Sequence, residues 1–222
     1  LTKYQSTNQG QSSPALEASY RYDPFGRRIS KSIKEANTTR TTYFLYGEQG
    51  LMGEADEAGK LTKGYGFNPQ TGSLGLWGTD PMWQAEVKND GFSATGTKFH
   101  YLHTDYKAAP TLATTRDGTI SWKAIHEAFG ATGLLPNSNS ISMNLRLPGQ
   151  YFDDEVGRHY NLYRDYFPIS GRYAEGDQLG LGGGVNFYLY GAGNPLSKID
   201  PSGEFAWLLQ PTIITGITVI VT

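Results

Sequence analysis

An all-β chain assembled from repeated strand–turn–strand units is what this sequence predicts. Three observations carry the expectation. First, 28 glycines and 15 tyrosines in 222 residues favour short strands and tight turns over helices. Second, residues 18–33 alternate apolar and polar side chains around an Asp-Pro-x-Gly step. Third, the motif Tyr-Arg-Tyr-Asp-x-x-Gly-Arg at 20–27 has looser copies at 43–47, 127–130, 151–158 and 163–172. Spacings of roughly 20–30 residues are those of a repetitive array. A single strand pair cannot bury its own apolar face, so neighbouring pairs extend one long sheet, which must then close or be capped.

Taken in order, residues 1–17 are polar and rich in Gly, Ser and Gln, and are expected to be a loose lead-in. Residues 18–33 predict strand, turn, strand. Pro24 presets φ, Gly26 permits positive φ, and Asp23 caps the turn with its side chain. A strand follows at 41–46. The next pair is 51–54 with 61–67, joined by an acid- and Gly-containing turn at 55–60. Residues 68–96 carry turn dipeptides and two tryptophans, and are expected to be an irregular insertion. A strand is expected at 99–103, and a hairpin joins 111–115 to 119–125 across Arg116-Asp117-Gly118. A polar loop at 136–142 precedes Leu145, Leu147 and Tyr-rich strands that reach Tyr166.

The formal net charge of −2, with Lys and Arg scattered, argues against nucleic acid as a partner. The absence of cysteine excludes disulfides and Cys-ligated metals. The N-terminus has neither the apolar core of a signal peptide nor a starting Met, so a fragment or a processed chain is expected.

Several segments resemble the Rhs/YD-repeat proteins, specifically their repeat-associated core. YDPFGRRISK is similar to a YD repeat, and FHYLHTDYKAAPTLATTRDGTISWKAIHEAFGA to the family's strand segment with its DG turn. LRLPGQYFDDEVGRHYNLYRDYFPISGRY and NFYLYGAGNPLSKIDPSG resemble its two terminal blocks. The resemblance spans about 18–204. It implies a β-cocoon fragment whose strand–turn–strand repeats are closed by a C-terminal core or plug. It divides the chain into the lead-in at 1–17, YD-repeat-like strands at 18–135 with the insertion at 68–96, a core carrying an autoprocessing motif at 136–204, and the hydrophobic start of a downstream toxin at 205–222. It also implies that the core cuts its own chain just past the last DPxG, releasing a toxin held inside the shell.

Two carboxylates brought together share one proton, so that one serves as base to a water and the other as acid to the peptide group. Asp177 and Asp200 match the family's paired aspartates, each in a glycine-containing turn, with Gly180 and Gly203 beside them. Arg164 matches the family's arginine, suited to orient a carboxylate or stabilise an oxyanion. The cut is expected near Glu204–Phe205. Two positions depart from the pattern: Gln178 replaces a proline, and Glu204 stands where Leu or Met is common. Read without the resemblance, both aspartates simply cap turns.

Other motifs yield less. His100 and His103, with Asp105, lie at an odd separation that sends the two rings to opposite faces of a strand, so no metal is expected there. The run at 180–184 lacks the Gly-Lys-Ser/Thr of a phosphate loop, and no cofactor is expected. The sequon at Asn37 is incidental. The aromatic residues read as sheet packing, with a carbohydrate-binding module as the alternative to a shell. The last 18 residues carry no charge. They are expected to begin an effector, and a strand packed within the shell or a membrane contact through 205–222 are the other readings. The resemblance further implies a bacterial protein made in the cytoplasm and exported as a secreted effector or cell-surface protein. Its partners would be the rest of the same shell, the enclosed toxin, a delivery protein of a secretion system such as type VI, and an immunity protein. A non-cleaving shell is the structural alternative to self-processing.

Overall fold

The computed structural model describes residues 2–6, 15–48, 50–69, 79–88, 95–180, 184–204 and 206–208. Eleven strands among them follow one another as an antiparallel meander in which every strand pairs with its sequence neighbour. They are β1 (Lys3–Ser6), β2 (Leu16–Tyr22), β3 (Arg28–Glu35), β4 (Thr38–Gly47), β5 (Gly50–Ala55), β6 (Leu61–Phe67), β7 (Pro81–Val87), β8 (Thr97–Thr104), β9 (Pro110–Thr114), β10 (Ile120–His126) and β11 (Thr132–Asn139). A second antiparallel sheet contains β12 (Tyr151–Asp153), β13 (Arg158–Asn161), β14 (Arg164–Phe167) and β15 (Arg172–Tyr173). A 3-10 turn (Tyr190–Gly193) leads to the short pair β16 (Lys198–Ile199) and β17 (Trp207–Leu208). The all-β expectation is met.

One local device makes five of the meander's corners. Asp23 accepts hydrogen bonds on Oδ1 from the backbone N–H of Phe25 and of Arg27, both at 2.9 Å. Its backbone N–H donates to Arg27 O, and Gly26 N–H donates back to Asp23 O. Gly26 supplies the positive φ of 80° that this closure needs. The same backbone pairing recurs at Asp56, Asp105, Thr115 and Glu127. The motif copy at 43–47 is different, lying inside β4. Asp56, Asp105 and Thr115 are the copies that the Tyr-Asp pattern misses, because none of them follows a tyrosine. At Asp105 the αL position is taken by Ala108, with φ 64°. Asp105→Ala removes the acceptor used by Lys107 N–H and Ala109 N–H, both at 2.9 Å. The expected cost is about 1 kcal/mol in a urea titration, and an unchanged midpoint would show that solvent satisfies both amides.

Three stretches expected to be irregular contain strands. β1 lies within 1–17 and pairs with β2. β7 lies within 68–96; its alternation is hidden because the inward, buried position holds Gln84, whose Nε2 donates to Ser142 O at 3.0 Å. β11 runs into 136–142 despite Pro136. It pairs only with β10 among the described strands, so it tolerates proline, and a register shift between Trp122 and Ala124 absorbs the irregularity.

The core lies between the two main sheets. Phe44, Leu51, Tyr65, Phe67, Leu102 and Trp122 from the meander pack with Met143, Leu145, Tyr151, Tyr160 and Leu162. His100 is buried and pairs Nδ1 with Ser121 Oγ at 2.9 Å, whereas His103 is exposed beside Thr114. The two rings occupy opposite faces, as their odd spacing requires.

Candidate functional site

The site forms where the second sheet meets the 200–204 turn. β13 and β14 are joined by a two-residue loop with Leu162 at φ 52°, and Asn161 pairs with Arg164 across it. That hairpin places Arg164 at the start of β14, 4% exposed. β16 ends at Ile199, and the chain turns through Asp200, Pro201, Ser202 and Gly203. Asp200 Oδ1 accepts the N–H groups of Gly203, at 2.9 Å, and of Glu204, at 3.1 Å. Gly203 has φ 75°, and a Cβ there would sit 2.5 Å from Asn161 O. Only glycine lets this turn lie so close to the β13–β14 loop.

Asp177 arrives from a separate loop. Its N–H donates to Phe187 O at 3.0 Å, its Oδ1 accepts Leu179 N–H at 2.9 Å, and Gly180 N–H donates to its carbonyl. The turn therefore closes with Gln178 in place of proline.

All three predicted side chains come together. Arg164 Nη2 lies 3.0 Å from Asp177 Oδ2 and 3.4 Å from Asp200 Oδ2, so one nitrogen bridges both carboxyls. Arg164 Nε donates to Gly203 O, and Nη1 donates to Phe187 O at 2.9 Å. Both carboxyl side chains are almost fully removed from solvent. Burial pushes the Asp200 carboxyl up, against the pull of the Tyr173 hydrogen bond, the Arg164 charge and the two backbone N–H groups. The Glu204 carboxyl is also raised, by burial first and then by the charge of Asp177; Arg164 opposes this and Asp200 adds to it. Glu204 thus brings a third acid into the field of the pair. Phe205 and residues 209–222 lie outside the described residues, so the second residue of the expected cleavage site and most of the apolar tail do too.

Sequence reasoning missed the residues that hold this cluster. Tyr173 OH donates to Asp200 Oδ2 at 2.8 Å, and Asn161 Nδ2 donates to Tyr173 OH and to Asp200 O, both at 2.9 Å. Asp200 N–H donates to Tyr190 OH at 3.2 Å. Behind Tyr173 and Tyr190 packs the ring of Tyr166, whose hydroxyl takes no part in the cluster; the three rings are tilted, with centroids 5.0–6.1 Å apart. Each lies in a segment rich in tyrosine, where no local signal separates a packing ring from one that also hydrogen-bonds.

A strand meander covering a smaller sheet, with an acid pair and an arginine sealed at its C-terminal turn, defines an all-β repeat-shell protein. The chain is 30% identical over 217 residues to Toxin protein Tse5 of Pseudomonas aeruginosa, covering 90% of this chain and 16% of that protein. It is 32% identical over 200 residues to Double-stranded DNA deaminase toxin A of Burkholderia cenocepacia, covering 85% of this chain and 14% of that one. In the crystal structure of TcdB2-TccC3 without its hypervariable C-terminal region, a matching backbone gives a TM-score of 0.67 at 18% identity, over 91% of this chain and 10% of that one. That likeness shows the fold. No family model matches the chain. The relatives and the fold together identify the chain as an Rhs/YD-repeat protein, in the repeat-associated core. It spans about one-sixth of the length of the first of these relatives.

Proposed function

We propose that this chain is the C-terminal part of a toxin shell that holds the segment after it and frees that segment by a single self-cleavage near Glu204–Phe205. The observation that supports this most is the bridge at Arg164 Nη2, which joins Asp177 and Asp200 in a water-poor site while the same guanidinium holds Gly203 O. Asp177, ion-paired to Arg164, takes a proton from a water. The water oxygen adds to the peptide carbonyl carbon, and the guanidinium stabilises the oxyanion. Asp200, raised by burial, gives its proton to the amide nitrogen as the C–N bond breaks. The products are a new carboxylate and a new amine. Both relatives are named as toxins, which fits a shell that carries a toxic cargo. Synthesis in the bacterial cytoplasm, export as a secreted or cell-surface effector, a secretion-system delivery protein and an immunity protein belong to the same proposal.

Intact mass of the purified chain tests it. The unsubstituted chain is expected to appear as two pieces, and Asp177→Asn and Asp200→Asn each as one, with cleavage slowed at least a hundredfold by loss of an acid or base. An unsubstituted chain that stays whole across the acid and neutral range would leave the non-cleaving shell as the function.

A further inference from the structure

We propose that Tyr173 is a positioning residue for Asp200, holding its carboxyl in one orientation and setting the pH range over which it can act as the acid. This rests on the self-cleavage proposal above. Three contacts converge on this one side chain, which is 3% exposed. Its hydroxyl donates to Asp200 Oδ2 at 2.8 Å. The same oxygen accepts from Asn161 Nδ2 at 2.9 Å, so the hydroxyl proton is directed away from Asn161 and toward the carboxyl. Its ring lies under the guanidinium, with Arg164 Cζ 3.7 Å from the ring centroid. Tyr173 therefore links the acid to the cation that bridges both acids.

The consequence follows from the acceptor inventory of Asp200. Oδ1 is taken by two backbone N–H groups, and Oδ2 by Tyr173 and Arg164. A donor to the charged carboxyl lowers its pKa, so Tyr173 opposes the upward push of burial. The other charged or titratable groups facing Asp200 are Arg164 from β14, Tyr190 from the 3-10 turn, and Asp177 and Glu204 from the flanking turns. None of them replaces a hydroxyl donor on Oδ2. Asn161 acts one step further out: its amide holds both the tyrosine hydroxyl and the Asp200 carbonyl.

Tyr173→Phe tests this, because it keeps the ring under Arg164 and deletes only the hydroxyl. The alkaline limb of the self-cleavage pH profile is expected to move up by about one to two pH units. Tyr166→Phe is the control. It removes a different buried hydroxyl, which donates to Phe129 O at 2.6 Å and touches neither aspartate, so the profile should keep its limbs. A second readout does not need cleavage: carbon NMR titration of the Asp200 carboxyl in an Asp177→Asn background, with and without Tyr173→Phe. The same upward shift is expected there. An Asp200 titration or a pH profile unmoved by Tyr173→Phe, or moved equally by Tyr166→Phe, overturns the assignment. A shifted titration in a chain that never cleaves sinks the processing proposal and leaves the hold of Tyr173 on Asp200 standing.

Discussion

Arg28→Ala is expected to lower the unfolding free energy by about 3–5 kcal/mol, a large share of the stability of a domain this size. Arg28 is 1% exposed, at the start of β3 just after the first Asp-Pro-x-Gly turn. Its Nη1 donates to Asp153 Oδ2, and Asp153 Oδ1 accepts from Lys31 Nζ at 3.0 Å. Lys31 also reaches Glu155 at 3.1 Å, and Glu155 accepts from Tyr20 OH at 2.9 Å. Around the guanidinium stand Tyr160 and Phe44, with ring centroids 4.3 and 4.7 Å from Cζ, and Tyr151 and Tyr20 slightly further out. Alanine would strip four rings of their filling and leave Asp153 buried against Lys31 alone. The control is Arg27→Ala, whose pair with Asp23 is partly exposed and should cost less than about 1 kcal/mol. Urea titration of both variants checks the contrast, and equal midpoints would rule out Arg28 as the link between the sheets. Acid should act on the same network. Burial pushes the Asp153 carboxyl up, but Arg28 and Lys31 together hold it below its ordinary range. Its contribution is thus present above the ordinary carboxylate pKa and is lost as pH falls through the lower, folded value. Thermal melts of the unsubstituted chain should fall steeply below about pH 4.

Gly149→Ala should disable the site without altering any group that takes part in its chemistry. Gly149 has φ 81°, and a Cβ there would lie 1.9 Å from Pro201 O and 2.6 Å from Pro201 C. Both are backbone atoms in the turn that begins with Asp200, so the turn itself must move. The αL penalty of about 1–2 kcal/mol and an overpacking cost of about 1–3 kcal/mol add up to a loss near 2–5 kcal/mol. Displacement of the turn also pulls Asp200 from Arg164 and Tyr173, so the proposed release of the 205–222 segment should stop. Gly157→Ala separates the two effects, since Gly157 has φ 63° but open space where its Cβ would go. It should carry only the conformational cost and keep release at its ordinary rate. Release persisting in Gly149→Ala would mean that the turn does not position Asp200.

The turns were legible because their chemistry is local. An aspartate three residues before a glycine closes on its own backbone, and Asp23 does so wherever the rest of the chain lies. Strand alternation was legible for the same reason in β2, β8 and β10. It failed in β7, where Gln84 occupies an inward position and its amide nitrogen donates to Ser142 O from a distant loop. Arg164, Asp177 and Asp200 were legible by resemblance and not by spacing, since each aspartate taken alone is an ordinary turn cap. Asn161, Tyr173, Tyr190 and Gly149 carried no local mark at all. Their roles depend on which backbone comes near them.

The sequence by itself determined an all-β chain of repeated hairpins, because period-two alternation and Asp-x-x-Gly closure act over a few residues, while Arg164, Asp177 and Asp200 stood out only through its resemblance to the repeat-associated core. Only the tertiary structure decided that one guanidinium nitrogen joins Asp177 to Asp200, and that Tyr173 and Asn161 hold the second acid. It alone placed Arg28 among four rings, with Tyr160, one of them, 132 residues away receiving its backbone N–H. The physical reason is the same in each case. A buried charge needs partners on every side, and partners that converge from separate strands leave no periodic trace in the chain that supplies them.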